Sequence, residues 1–187
     1  TSMLDPQGAR DMLELVQKLH REKNITVIMV THKISEALMA DRVYILDNSK
    51  IVAEGTPEDV FTDVERLKKY GLEIPVRMKL EAGIPVDICS EYKKKHLQIS
   101  QDAGVSVDHI GDSGNSLSNL RRCIVELQNV SYSYMNGNEE YKALSDIDLK
   151  IYEGQVVSVI GQTGSGKSTL LQMINKLIAP QSGHVYL

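Results

Sequence analysis

The chain has 187 residues, of which 42% are hydrophobic and 25% are charged, and its formal net charge is -4 at pH 7. Such a composition is typical of a globular protein with one ordinary domain or two small ones. The net negative charge argues against nucleic-acid binding by bulk electrostatics, and no apolar run reaches the length of a membrane span. The two cysteines, Cys89 and Cys123, indicate neither a disulfide framework nor a metal site, so a reducing cytosol is the expected compartment.

Helices and strands are predicted to alternate through residues 1–70. A helix is expected over residues 8–23, where apolar residues recur at helical spacing, and Asn24 ends it. Residues 25–30 form a nearly continuous apolar run, which is typical of a parallel strand buried on both faces. The pattern then predicts a short helix over 34–40, strands over 42–46 and 50–54, and one helix that begins at Thr56 and carries Val60, Phe61, Val64 and Leu67 on its apolar side.

The sequence pattern weakens after Gly71. We interpret the basic run 92–96 as a solvated helix face, in preference to a membrane or nucleic-acid patch. Residues 101–122 are rich in Gly, Ser, Asn and Asp and show no period, which predicts a linker.

Regular structure is predicted to resume after the linker. The pattern predicts strands over 124–127, 130–134, 143–151 and 156–160, turns at 136–138 and 153–154, and a helix over 167–177. Tyr132 and Tyr134 are predicted to lie on opposite faces of their strand. One role for such a tyrosine is packing in the core and another is an aromatic platform for an adenine ring, and the pattern favours neither.

A glycine-rich loop between the strand 156–160 and the following helix carries the clearest chemical signal. It fits the pattern G-x-x-x-x-G-K-[ST], with Gly161, Gly166, Lys167 and Ser168 at the defining positions. Glycines let successive backbone N–H groups point at a phosphate, and the N-terminus of the next helix adds its positive dipole. A lysine adds a mobile positive charge, and a serine hydroxyl is a suitable ligand for Mg²⁺. The loop therefore predicts a nucleoside triphosphate site, in preference to a glycine-rich turn that binds nothing.

His32 follows the predicted strand 25–30, at the end of the sheet where open α/β folds bind their ligands. A single histidine after a strand is usually structural. Its position alone therefore leaves both a structural role and a site role open.

Both ends of the chain resemble ATP-binding cassette (ABC) ATPases. The second half resembles the first third of such a domain through residues 129–134, 143–147, 153–154 and the phosphate loop. The first half resembles the last third through residues 1–6, 30–32, 36–37, 40–43 and 54–57. A finer resemblance, to the ATPase subunits of energy-coupling-factor importers, lies in residues 2–5, 71–75 and 161–166.

This resemblance implies the junction of two ATPase domains in tandem. Residues 1–100 correspond to the C-terminal part of a first domain with its C-terminal extension, 101–122 to a linker, and 123–187 to the N-terminal part of a second domain. The chain starts at Thr1 and ends inside a predicted strand, so we expect an excerpt of a longer protein. Nothing in it matches the family's glutamine loop, Leu-Ser-Gly-Gly signature or Walker B strand with its catalytic Glu, so we expect ATP binding without turnover by these residues alone.

The resemblance also implies roles for individual residues, with ATP and Mg²⁺ as the ligands. In the family, Tyr134 corresponds to the residue that stacks on adenine, and Ser168 corresponds to the Mg²⁺ ligand. His32 corresponds to the switch histidine, and Asp5 belongs to the D-loop that faces the partner domain's site. The phosphate loop contributes the remaining contacts to the nucleotide, through Gly161, Gln162, Thr163, Gly164, Ser165, Gly166, Lys167 and Thr169.

In the family, two such domains close head to tail around two ATP molecules and act on integral membrane transport subunits. The resemblance therefore implies a second ATPase domain or subunit, membrane partners, a position at the cytoplasmic face of the membrane, and no nucleic acid. Two alternatives stay open. One is a tandem cassette protein of the translation-factor type, whose long charged helical linker residues 101–122 do not resemble. The other is a nucleotide-binding fragment without turnover.

The expected fold class is α/β of the P-loop NTPase type, with a parallel sheet core and an antiparallel β-subdomain. In this class the phosphate-loop strand lies between the switch-histidine strand and the next strand along. Strands of those two types are present here at 25–30 and 42–46, and unpaired apolar strand edges are costly. We therefore predict a permuted core with the strand 156–160 in the middle, which would bring His32 towards Lys167.

Overall fold

The computed structural model describes residues 6–75, 78 and 121–187. The helices of this part of the chain are α1 (Pro6–Lys23), α2 (Ile34–Ala37), α3 (Pro57–Phe61), α4 (Val64–Lys69) and α5 (Lys167–Ile174). Its strands are β1 (Val27–Thr31), β2 (Arg42–Asp47), β3 (Lys50–Gly55), β4 (Cys123–Asn136), β5 (Glu139–Tyr152), β6 (Val156–Ile160) and β7 (Ser182–Tyr186). Asp5, the basic run 92–96 and all but the last two positions of the predicted linker lie outside the described residues.

The first sheet is built from both halves of the chain. Its strand order is β1-β6-β2-β3, with β6 parallel to β1 and to β2, and β3 antiparallel to β2. Ser158 at the centre of β6 lies opposite Met29 on one side and Val43 on the other. The predicted permuted core is therefore confirmed, because the strand before the phosphate loop pairs on both edges with strands that precede it by more than a hundred residues.

Hydrogen bonds at the ends of the strands also join the two halves. The Asp41 carboxylate accepts from the Val156 N–H at 2.7 Å, and the Thr26 hydroxyl accepts from the Gly154 N–H at 2.9 Å. The buried Tyr44 hydroxyl donates to the Lys150 carbonyl at 2.9 Å and accepts from Arg42 Nε at 3.2 Å. The bonds of Asp41 and Thr26 lie at the N-terminal end of β6, and the bond from Tyr44 to Lys150 joins β2 to β5.

The second sheet is antiparallel, with strand order β5-β4-β7. The long strands β4 and β5 form a hairpin that turns at Gly137, where φ is +62°, and several bulges interrupt their register. The second sheet packs on one face of the first sheet. Their shared core includes residues of β2, β4, β5 and α5, among them Tyr44, Leu46, Leu127, Leu144 and Leu170.

A second core covers the other face of the parallel sheet. It contains Val43, Ile45 and Ile160 from the strands, packed against Ile34, Phe61 and Leu67 from the helices. Burial of these side chains holds α2, α3 and α4 against β2 and β6, since each fully buried large aliphatic or aromatic side chain contributes about 1.5–3 kcal/mol. Ile34, two residues after His32, therefore anchors the segment that carries this histidine in the second core.

Several sequence-based boundaries are corrected by the structure. The single helix predicted after Thr56 is two helices, α3 and α4, because the Asp63 carboxylate accepts from the Arg66 N–H and caps a new helix. Thr56 caps α3 as predicted. The last helix ends at Ile174, three residues early, and Lys176 adopts a φ of +57° that is incompatible with its continuation.

The strand predicted to be buried on both faces lies at one edge of the sheet among the described strands, and most of its residues are half-buried. The apolar face predicted for α1 forms, yet Met12, Leu15 and Leu19 on it are exposed. Within the described ranges, none of the helices combines the length and apolar character needed to span a membrane.

A buried hydroxyl at the centre of β6 gives a test of this core. Ser158 is fully buried and its hydroxyl finds no hydrogen-bond partner among the described residues. We expect Ser158→Ala to raise the free energy of unfolding by about 1 kcal/mol, because an unsatisfied buried hydroxyl is costly. Chemical denaturation measures this change.

Ser49→Ala is the matched control, since the Ser49 hydroxyl donates to the Lys142 carbonyl at 2.7 Å. Loss of that bond should lower the free energy of unfolding by about 1 kcal/mol. Equal destabilisation by both substitutions would contradict the position assigned to Ser158.

Candidate functional site

The phosphate loop packs so closely against neighbouring backbone that two of its glycines have no room for a side chain. A Cβ at Gly161 would lie 2.1 Å from the Leu46 carbonyl oxygen, and one at Gly166 would lie 2.2 Å from the Ala143 carbonyl oxygen. Gly166 also has a φ of +104°, which L-residues rarely adopt. The two glycines of the sequence pattern are thus required by close backbone approach at both ends of a wrapped loop.

The interior of the loop is held by hydrogen bonds to its own carbonyl groups. Lys167 Nζ donates to the carbonyl oxygens of Gly161 at 2.8 Å and Gln162 at 2.5 Å, and lies 3.4 Å from Ser165 Oγ. The Ser165 N–H donates to the Gln162 carbonyl at 3.2 Å. Burial lowers the pKa of Lys167 from its ordinary value. An anion in the loop would offset this desolvation, because it favours the charged form of the lysine.

Helix α5 starts directly after the loop and points its N-terminus at the same place. Gly166 is the N-cap, and its carbonyl accepts the first helical hydrogen bond from the Leu170 N–H at 2.9 Å. The buried Leu170 and Met173 fix the helix on the core. Free N–H groups of the first turn and the helix dipole therefore add positive potential beside Lys167.

One cavity of about 340 Å³ brings both halves of the chain together. It is lined by Val30, Thr31 and His32 at the end of β1, by Tyr141 and Ala143 of β5, and by Thr163, Gly164, Gly166, Lys167, Ser168 and Thr169. The predicted approach of His32 to Lys167 thus takes the form of a shared cavity. This follows from the parallel pairing of β1 with β6, which ends both strands at the same edge of the sheet.

A buried carboxylate braces the turn that carries His32. Glu36 is only 6% exposed, and its carboxylate accepts from the Thr31 hydroxyl at 2.6 Å and pairs with Lys33 Nζ at 3.3 Å. The Thr31 hydroxyl also accepts from the Lys33 N–H at 3.1 Å. Sequence reasoning gave Glu36 no role of its own, although the sequence places this acidic residue in the short helix predicted after the strand.

The two tyrosines of β4 lie on the same face of the strand, so the prediction of opposite faces is wrong. Side chains two residues apart in a strand share a face, and the rings of Tyr132 and Tyr134 meet edge to face at 5.0 Å. Tyr134 is 40% exposed and its hydroxyl lies 3.4 Å from Thr169 Oγ1 and 3.3 Å from Gln172 Oε1. Tyr134 therefore sits against α5, beside the cavity instead of in its lining.

Tyr141 is the residue of this site that sequence reasoning missed. Its hydroxyl donates to the Gly164 carbonyl at 2.7 Å, and its ring lines the cavity. The predicted turn covers residues 136–138 and the predicted strand begins at residue 143, so the sequence pattern gives residue 141 no element, whereas β5 begins at Glu139. Tyr141 pairs with Tyr134 across the hairpin. Predicting this pair requires the register of β4 and β5, which the sequence pattern does not give.

The donor set at the loop fits Mg²⁺ bound together with a nucleotide. The Ser168 side chain is exposed at the start of α5 and offers one hydroxyl oxygen. Mg²⁺ in nucleotide sites typically takes one or two protein oxygens, with phosphate oxygens and waters completing its shell. Among the described residues, no group of three or more His, Cys, Asp or Glu side chains offers a separate metal site.

The fold and the loop are typical of P-loop nucleotide-binding proteins, and comparisons with known proteins point to a more specific resemblance. Residues 144–187 match the family model described as ABC transporter. A putative ABC transporter ATP-binding protein of Caldanaerobacter subterraneus subsp. tengcongensis is 33% identical over 199 residues, which cover 99% of this chain and 34% of the relative. An energy-coupling factor transporter ATP-binding protein of the same organism is 49% identical over 75 residues, which cover 40% of this chain and 27% of the relative.

A solved structure, the dimeric post-hydrolysis state of the ATP-binding cassette MJ0796 bound to ADP and Pi, is 46% identical over 34% of this chain and 27% of that chain, with a TM-score of 0.33. The chain spans about a third of the length of the curated relatives that it matches throughout. Residues 144–187 are thus similar to the ABC transporter family model, and almost the whole chain is similar to one part of a putative ABC transporter ATP-binding protein.

Gly71, two residues after the end of α4, contacts the phosphate loop from the first half of the chain. A Cβ at Gly71 would lie 1.3 Å from Nε2 of Gln162, so the glutamine side chain occupies the space over this glycine. The Gln162 carbonyl in turn accepts from Lys167 Nζ. The two halves of the chain thus meet at the loop itself as well as in the sheet.

We expect Gly71→Ala to displace Gln162, whose carbonyl accepts from Lys167 Nζ, and so to weaken nucleotide binding about 2- to 10-fold, the range expected for one net hydrogen bond. Gly137→Ala is the matched control, because Gly137 has the same φ of +62° and open space where the Cβ would lie. Isothermal titration with ATP measures both variants. Equal losses of affinity in the two would show that backbone strain, and not the contact with Gln162, causes the effect.

Proposed function

We propose that this chain is the nucleotide-binding part of an ABC transporter ATPase and that it binds ATP with Mg²⁺ in the cavity shared by β1 and the phosphate loop. One observation carries the proposal. The loop is already wrapped, with Lys167 inside it and the N-terminus of α5 aimed at the same point. Positive charge and free N–H groups that converge on one point favour the phosphate chain of a nucleotide.

Different residues are proposed to contact the phosphates, the Mg²⁺ ion and the adenine ring of the nucleotide. The N–H groups of the loop and Lys167 bind the β- and γ-phosphates, and Ser168 coordinates Mg²⁺. The loop residues concerned are Gly161, Gln162, Thr163, Gly164, Ser165 and Gly166. Buried Thr169 supports the loop, and Tyr134 stacks on the adenine ring from beside α5.

His32 is proposed to contact the γ-phosphate from the opposite wall of the cavity. Support comes from its place in the lining and from the buried bonds between Thr31 and Glu36 that brace its turn. Asp5, in the proposed D-loop, lies outside the described residues, and its role across a domain interface rests on resemblance alone.

We further propose that the parent protein carries two ATPase domains in tandem. Residues 1–100 would end the first domain, 101–122 would link, and 123–187 would begin the second. Support comes from the Caldanaerobacter relative that aligns with 99% of this chain, although the chain covers only 34% of that relative. The two domains would then close head to tail in the parent and act on integral membrane subunits at the cytoplasmic face of the membrane.

The energy-coupling-factor subtype is a finer proposal. It is supported by the relative that is 49% identical over 75 residues and is named as an energy-coupling factor transporter ATP-binding protein. The other relative is named only as a putative ABC transporter ATP-binding protein. A tandem cassette of the translation-factor type is not supported by either name.

The chain alone is proposed to bind ATP without hydrolysing it. No Leu-Ser-Gly-Gly run occurs in the 187 residues. The residues that line the cavity include no Asp or Glu, so within the described part of the chain no carboxylate is placed to orient an attacking water. Hydrolysis would therefore belong to the complete parent protein.

We expect Lys167→Ala to weaken ATP binding about 10- to 100-fold, because hydrogen bonds from a charged donor contribute about 1.5–3 kcal/mol. Lys69→Ala, which removes an exposed lysine of α4, should leave the affinity unchanged. Isothermal titration with Mg²⁺ and ATP measures the dissociation constants, and a phosphate assay on the same samples should detect no release by the wild-type chain above the level of Lys167→Ala. Equal affinity of the Lys167 and Lys69 variants would contradict the proposed site.

A further inference from the structure

Tyr141 connects the antiparallel sheet to the phosphate loop. It lies near the start of β5, directly opposite Tyr134 in the β4–β5 register. Its hydroxyl donates to the Gly164 carbonyl at 2.7 Å, a short and direct bond across 23 residues of sequence. The ring itself is 53% exposed. The Tyr141 hydroxyl therefore binds the backbone of the loop, whereas the Tyr134 hydroxyl lies beside the side chains of α5.

The bond fixes one peptide plane of the loop. A peptide group is planar, so the direction of the Gly164 carbonyl also sets the direction of the Ser165 N–H on the same plane. In the structure this N–H donates to the Gln162 carbonyl at 3.2 Å. Both polar ends of the peptide unit between Gly164 and Ser165 are thus held, one by Tyr141 and the other by the loop itself.

Without the tyrosine hydroxyl this peptide plane keeps only the bond from the Ser165 N–H to the Gln162 carbonyl at 3.2 Å, and it turns more easily. The plane turns about the Cα–C bond of Gly164 and the N–Cα bond of Ser165, and a glycine, which has no Cβ, restricts the first of these rotations less than other residues do. A turn of the plane would swing the carbonyl oxygen, with its partial negative charge, and would carry the Ser165 N–H the opposite way. An anion-binding loop loses affinity when an N–H is withdrawn or a carbonyl oxygen takes its place, since the attraction depends on converging N–H groups.

We propose that Tyr141 is a positioning residue of the nucleotide site. Its hydroxyl holds the peptide between Gly164 and Ser165 in the orientation that binds phosphate. The resulting increase in affinity concerns the phosphate chain and does not depend on the base. This inference rests on the proposed function, because it concerns the same loop. It differs from the role proposed for Tyr134, which acts on the base through its ring.

The binding experiment compares a nucleotide with a ligand that has no base. Dissociation constants of the 187-residue chain are measured for ATP and for inorganic tripolyphosphate, both with Mg²⁺, in wild type, Tyr141→Phe and Tyr141→Ala. Tyr141→Phe removes only the hydroxyl and should weaken both ligands by the same factor, about 2- to 10-fold for one hydrogen bond. Tyr186→Phe is the control, because Tyr186 is a similarly exposed tyrosine of β7 that lies outside the cavity lining.

A second measurement needs no ligand, so it separates this inference from the proposed function. The ¹H–¹⁵N amide signal of Ser165 is recorded in the ligand-free chain. Tyr141→Phe should shift or broaden this signal, because the peptide plane is released, and Tyr186→Phe should leave it in place. If wild type fails to bind ATP while Ser165 responds to Tyr141→Phe, the proposed function fails, whereas the hold of Tyr141 on the peptide between Gly164 and Ser165 stands.

Three results would overturn the inference. The first is a Ser165 signal that is the same in wild type and Tyr141→Phe. The second is wild-type affinity in Tyr141→Phe together with a loss in Tyr141→Ala, which would assign the effect to the ring. The third is a loss for ATP with no loss for tripolyphosphate, which would place Tyr141 against the base.

Discussion

The structure depends on the pairing of one short strand, β6, along both of its edges. Its neighbours on the two sides, β1 and β2, both come from the other half of the chain. Because a buried strand with an unpaired edge leaves N–H and C=O groups without partners, each half of the chain supplies what the other requires. The pairing with β1 also brings His32 to the phosphate loop, so the composition of the cavity follows from the sheet order.

The shape of the phosphate loop, and with it the chemistry of the site, depends on packing against both sheets. Gly161 and Gly166 are pressed against carbonyl oxygens of β2 and β5, so the loop is wrapped by contacts with both sheets. Lys167 is held inside by the loop's own carbonyl groups, and burial lowers its pKa. A phosphate that enters would replace these weak internal partners with a full negative charge. The fold therefore preorganises positive potential in the loop before any ligand binds.

Sequence reasoning succeeded where the determinants are local. The phosphate loop, the cap at Thr56 and the turn at Gly137 depend on a few adjacent residues, and the structure shows all three. It failed where the outcome depends on distant neighbours: the half-burial of β1 follows from its edge position, and the role of Tyr141 follows from register. The error at Tyr132 and Tyr134 was a misapplied strand period. The sheet order itself was predicted from resemblance, since no local pattern specifies which strands meet.

The most direct test of this account is nuclear Overhauser contact across β6 in the 187-residue chain. Ser158 lies between Met29 and Val43 in the parallel register, so its backbone protons should show contacts to both neighbouring strands. Observation of both sets of contacts is the predicted result. Contacts to neither strand, or to β2 without β1, would contradict the permuted core and would separate His32 from the phosphate loop.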